Sequence, residues 1–173
     1  MKKIIALLCA VLLLAASCAS ADTVVEFRDR LQLNGSLPQG YRFTLLDQQD
    51  LMMSGQIVSE NAASPLLEVY IAFNESYAAV TSLKDLDQAT LDGIKQDFSM
   101  EYDVTFEQFE TASGDSLLLV RDNGGQFLDF YTVSLGYEIE LTLFPAEGQT
   151  LTEEQINRCL ELMRTLDIVQ VLG

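Results

Sequence analysis

Apolar and polar residues alternate with a period of two over most of this chain, and the period changes to that of a helix in two places. Tyr137, Ile139, Leu141 and Leu143 alternate with Glu138, Glu140 and Thr142, the pattern of an antiparallel strand with one apolar face and one wet face. Leu67, Val69, Ile71 and Phe73 share a face over 66–73 in the same way. Further strands are predicted over 24–33, 41–46, 51–59, 104–109, 116–121 and 126–134. Between them stand turn formers. In Leu37-Pro38-Gln39-Gly40-Tyr41 the proline presets φ and the glycine accepts a positive one. Asp122-Asn123-Gly124-Gly125 predicts a hairpin with Asn-Gly in a type I′ turn, and Gly136 marks the next reversal.

The first helix is announced by Leu86-Asp87. Asp87 is placed to cap the free N–H groups and Leu86 to pack on Leu91 as a hydrophobic staple. Leu91, Ile94 and Phe98 then follow at helical spacing. The second helix spans about 152–166, with Thr152 and Gln155 as a capping box and Leu151 and Ile156 as the staple. Glu153 and Glu154 complement the positive end of its dipole. Ile156, Cys159, Leu160, Met163 and Leu166 form its buried stripe, so Cys159 reads as a small core residue. Strands, a helix, a three-strand meander and a closing helix make an α+β domain: a central antiparallel sheet carrying two main helices.

The N-terminal 21 residues follow a different rule. Lys2 and Lys3 precede an unbroken apolar run from Ile4 to Ala16, and the segment closes on Ala19-Ser20-Ala21. This is the pattern of a signal peptide cleaved after Ala21. The thirteen apolar residues fall short of the ~20 needed to span a bilayer. An alternative is processing as a bacterial lipoprotein, with Cys18 lipidated after Ala15-Ala16-Ser17, although Ala15 stands where a lipobox usually has Leu, Val or Ile. Either way the chain is exported. It is then extracellular, periplasmic or at the cell surface, and its only expected membrane attachment is a lipid anchor at Cys18. Residues 22–173 form one acidic domain large enough for a single core.

The whole chain has a formal charge of −16. Removing Lys2 and Lys3 leaves eight basic residues against all 26 acidic ones, a net charge of −18. The basic residues are scattered, which excludes binding to a nucleic-acid backbone by counterion release. High negative charge favours solubility and attracts cationic partners. With Cys159 as the single cysteine beyond residue 21, the domain has no internal disulfide to lean on. The sequence contains no histidine, which excludes Ser-His-Asp and Cys-His catalysis and nearly all zinc chemistry.

The element order and turn positions resemble those of the Mog1/PsbP-like group, which includes bacterial envelope proteins related to DcrB. The residues that carry the resemblance are Leu37–Tyr41 after an opening strand, the capped helix at Leu86–Phe98, Gly114, and the Asp122–Gly125 hairpin leading to Phe127 and Tyr131. Gly136, the strand Tyr137–Phe144 and the final helix complete it. The resemblance implies an α/β/α-like sandwich and, as in most of that group, a non-catalytic role as an extrinsic subunit or binding partner. It transfers no site residue.

Among chemistry-bearing residues, Asp129 shares a strand face with Phe127 and Tyr131, and Glu68 stands beside Tyr70. With Glu138 and Glu140 these carboxylates are candidates for an acid–base pair of the glycosidase kind. Asp47-Gln48-Gln49-Asp50 and Asp85-Leu86-Asp87 cluster carboxylates without the ligand order of a calcium loop, so no metal is expected. Asn34-Gly35-Ser36 and Asn74-Glu75-Ser76 satisfy the N-glycosylation pattern, which a bacterial chain would normally leave bare. No phosphate loop or nucleotide fingerprint is present, and no cofactor is expected. The function expected from the sequence is a non-catalytic exported domain that binds an envelope or extracellular protein, or a small ligand. The alternative is a secreted hydrolase acting on a glycan through Asp129 with Glu68 or Glu138.

Overall fold

The period-two segments pair into one large sheet. The computed structural model describes residues 22–28, 30–59 and 66–171, so the export signal, Ala21 and Cys18 lie outside the described residues. The strands are β1 (Asp22–Phe27), β2 (Leu31–Gly35), β3 (Tyr41–Gln48), β4 (Met52–Ser59), β5 (Leu66–Phe73), β6 (Val104–Glu110), β7 (Ser116–Asp122), β8 (Leu128–Ser134), β9 (Tyr137–Phe144) and β10 (Asp167–Gln170). The helices are α1 (Gln88–Glu101) and α2 (Glu153–Arg164). Seven strands pair antiparallel in the order β3-β4-β5-β9-β8-β7-β6. The molecule is α+β, as the pattern predicts.

Two local expectations are corrected. The single strand predicted over 24–33 is a hairpin, in which β1 ends at Phe27 and pairs antiparallel with β2 from Leu31. Val25, Phe27, Leu31 and Leu33 are all buried and all odd-numbered, so the apolar positions keep the same parity on both sides of the turn, with only Asp29 between them, and this hides it. A short strand absent from the sequence reading, β10, pairs on the other side of β2 and completes a three-stranded sheet. All four β10 residues are half-buried, which leaves no alternation to read. The second correction concerns the type I′ turn. Among the described residues of the 122–127 loop only Gly125 takes a positive φ. The Asn123 amide donates to the Asp103 carbonyl and Asp122 Oδ2 accepts from the Gln126 amide at 2.8 Å, which opens the loop. The two-residue turn with both φ positive lies instead at Leu135 (φ 46°) and Gly136 (φ 84°), between β8 and β9.

The large sheet is covered on both faces. One face packs against the three-stranded sheet and α2, burying Phe27, Leu33, Ile71, Phe130, Ile139 and Met163 in a continuous core. Thr152 and Gln155 form the predicted capping box at the start of α2. The opposite face is covered over β6–β8 by α1 and the 3₁₀ turn Leu83–Asp85, with Leu83, Ile94, Leu118, Val120 and Val133 buried beneath. Asp87 caps α1 as predicted, accepting from the Thr90 amide at 2.8 Å. Beyond α1 this face continues across β9, β5, β4 and β3. No helix among the described residues is long and apolar enough to cross a membrane.

Candidate carboxylate–tyrosine site

The register of β5, β9 and β8 brings the candidate carboxylates together. Glu68 lies opposite Thr142, which lies opposite Asp129. One row along, Tyr70 faces Glu140, which faces Tyr131. In the next row Ala72 faces Glu138, which faces Val133. All these residues share the α1 side of the sheet, because their neighbours of opposite parity (Leu67, Val69, Leu128, Phe130, Ile139, Leu141) belong to the core under α2. Adjacent strands lie about 4.8 Å apart, so the backbones of Glu68 and Asp129 are separated by about 10 Å, with Thr142 between them.

Their environments differ sharply. Glu68 is exposed and accepts a long hydrogen bond from Gln56 Nε2 at 3.4 Å. Asp129 is sealed at 1% exposure. Thr142 Oγ1 donates to its Oδ1 at 2.6 Å, while Oδ2 is buried with no partner. A buried acceptor without a donor costs about 1–3 kcal/mol. Burial drives the Asp129 carboxyl up to about 7; the Thr142 hydroxyl opposes this and the charge of Glu140 adds to it.

Glu138 is the best-satisfied member. It accepts from the Tyr131 hydroxyl at 2.9 Å and from Asn74 Nδ2 at 3.4 Å. Burial and the Glu138 charge push the Tyr131 phenol well above its ordinary range. Tyr77, which approaches Tyr131, is raised by burial and by Glu138 and Asp97. Phe98 of α1 packs edge-on to Tyr131 with ring centroids 6.2 Å apart. Glu140 is half-buried, and its carboxyl is raised by burial and by Glu138. No side-chain hydrogen bond or ion pair among the described residues reaches it.

Asp129, Glu68 and Glu138 therefore share one face, but they do not flank a cleft. A glycosidase pair needs two carboxyl groups open to the substrate about 5–10 Å apart, and Asp129 lies beneath the surface. The other acidic runs have structural duties. Asp50 pairs with Arg28 at 2.7 Å, Asp85 accepts from the Thr81 hydroxyl at 2.6 Å, and Asp87 caps α1. Among the described residues no three acidic or cysteine side chains converge as metal ligands. Cys159 is buried and its thiol is pushed up to about 12, chiefly by burial, so it is no nucleophile.

A second feature lies on the other side of the sheet. A groove of about 700 Å³ opens beside α2, floored by Ile57, Leu67, Leu143 and Cys159 and rimmed by Tyr41 and Arg158. Sequence reasoning misses this groove, and it misses Thr142, Asn74 and Tyr77 as members of the carboxylate site. Thr142 carries a readable signal, since it occupies a polar position on the face of Glu138 and Glu140. Asn74 and Tyr77 lie in a short 3₁₀ segment that no periodicity announces. No family model, curated protein or solved structure matches the chain. The resemblance to the Mog1/PsbP-like group thus rests on element order and turn positions.

Proposed function

We propose that this protein is an exported, non-catalytic binding domain that engages a protein partner through the open, acidic half of its large sheet. The observation that carries this reading is the row Tyr70–Glu140–Tyr131, in which a half-buried carboxylate lies between the exposed Tyr70 and the buried Tyr131 on a largely polar sheet face. Tyrosine supplies large contact area at low entropic cost and is enriched at interfaces. The N-terminal pattern of residues 1–21 supports export, and the element order supports kinship with the Mog1/PsbP-like group. The hydrolase alternative has weaker support, because its central carboxylate, Asp129, is buried.

Cross-linking of the protein in its own cells, followed by mass spectrometry, tests the reading. The expected result is reproducible recovery of a protein cross-linked to residues of β5, β9 or the 74–77 segment. Recovery of a glycan alone would count against it. A small apolar ligand is the second reading, favoured by the groove beside α2, whose volume suits a small-molecule site. Intact-mass measurement separates the two processing routes: a chain starting at Asp22 is secreted free, and one starting at a diacylated Cys18 is tethered.

A further inference from the structure

Glu140 is half-buried and has no side-chain hydrogen-bond or ion-pair partner among the described residues. The three ion pairs found among the described residues join Arg28 to Asp50, Lys84 to Glu110 and Arg158 to Glu154, and none involves a residue of β5, β8 or β9. The basic residue on the open half of the sheet, Arg42, stands on the edge strand β3, three strands from Glu140. Around Glu140 the facing groups are acidic or phenolic: Glu138 along β9, Glu68 and Tyr70 from β5, and Asp129 and Tyr131 from β8. Asp97 of α1 adds its charge at the neighbouring Tyr77. Asp129 supplies an independent sign of something missing, since its Oδ2 is sealed on the floor of this cluster without a donor.

We propose that Glu140, backed by Glu138 and by the half-partnered Asp129 and flanked by the exposed Tyr70, receives the guanidinium of an arginine on a basic segment of a partner protein. The inference rests on the binding reading above and names its chemistry. A guanidinium is planar, stacks on aromatic faces and donates in a fork to carboxylates, so it matches a carboxylate beside the exposed ring of Tyr70 better than an ammonium does. Its positive charge offsets the mutual repulsion of Glu138, Glu140 and Asp129.

The test is calorimetric titration of the intact protein with a short arginine-containing peptide, its lysine counterpart and its glutamine counterpart, at about 50 and 300 mM salt. The arginine peptide binds, the lysine peptide binds several-fold more weakly, and the glutamine peptide gives no heat. Glu140→Gln weakens the arginine peptide about 10-fold or more, the loss expected when one partner of a desolvated charge pair is removed. Glu154→Gln removes the same charge from the exposed face of α2 and changes affinity by less than about 2-fold. Amide shift changes on the unmodified protein, confined to β5, β8 and β9, give a second readout that needs no variant. Equal weakening by the two substitutions, equal affinity for lysine and arginine, or no binding of the arginine peptide overturns the proposal. A cross-linked partner seated on the α2 groove would overturn it too, while leaving a binding role intact.

Discussion

The two faces of the large sheet are made by the same strands and finished in opposite ways. Under α2 and the three-stranded sheet every side chain that β5, β8 and β9 point inward is uncharged and almost all are apolar; Ile71, Phe130 and Ile139 from these strands, and Phe27, Leu31 and Leu33 from the covering sheet, are essentially without solvent contact. On the α1 side the apolar cluster centres on β6–β8, α1 and the 3₁₀ turn, and towards β9 and β5 it gives way to Asp129, Glu138, Glu140 and Tyr70. The first face holds the fold together, and the second tolerates charges that raise one another's pKa values. A sheet can carry such a cluster because its other face already supplies the burial that folding needs.

The sharpest way to break this contrast is to truncate on the apolar face. Phe130 is fully buried and packs edge-on against Phe109 with centroids 5.3 Å apart. Phe130→Ala is expected to cost about 3–5 kcal/mol, measured by urea denaturation. An equal or larger loss from Ile94→Ala, beneath α1, would erase the distinction between the faces.

Next in size is the Asp129 carboxyl. Its pKa in the folded protein is about 7 against 3.8 for the free group. Between those values the folded state keeps a proton that the unfolded chain releases, so stability falls as pH rises from about 4 through 7. Asp129→Asn keeps a neutral polar group beside Thr142 and removes that dependence. The variant is therefore expected to gain on the native protein by roughly 1–3 kcal/mol at pH 8 and by little at pH 4. Denaturation midpoints across this range check it, and a native protein whose stability rises from pH 5 to 8 would refute it.

Smaller effects compare the helices. Thr152→Ala dismantles the capping box of α2 and is expected to cost about 1 kcal/mol, read by thermal denaturation. Smallest is Arg158→Ala, which breaks an exposed i,i+4 pair with Glu154 and should change stability by about 0.5 kcal/mol or less. A thiol reagent offers a separate probe of the apolar face: Cys159 is buried with its thiol pushed up to about 12, so labelling is expected only upon unfolding.

Much of the fold is legible in the sequence, because wherever one face is buried and the other wet the period shows it. β5 and β9 lie close to where their alternation puts them, and both helix N-termini stand at their caps. β8 is buried on both faces, so its alternation carries no burial contrast and only its flanking turns mark it. The β1–β2 turn is concealed by parity, and β10 has no period at all. The site is legible in part. Asp129, Glu68 and Glu138 are recognisable as carboxylates among aromatics, and they do share a face. Their spacing is set by the pairing of β5 with β9 and of β9 with β8, and register between strands more than 60 residues apart is written nowhere locally. Asp129 lies on a strand buried on both faces, a tertiary property that no single segment reveals.

The three-stranded sheet has a consequence for how the molecule is made. Its middle strand, β2, takes β1 on one side and β10 on the other, joining Asn34 to Asp167 and Leu31 to Gln170. These are among the longest-range pairings in the chain, and closing them is entropically slow. During synthesis from the N-terminus, the opening hairpin emerges long before its third strand exists. The three-stranded cover over the apolar face therefore cannot be completed until residues 167–170 have been made.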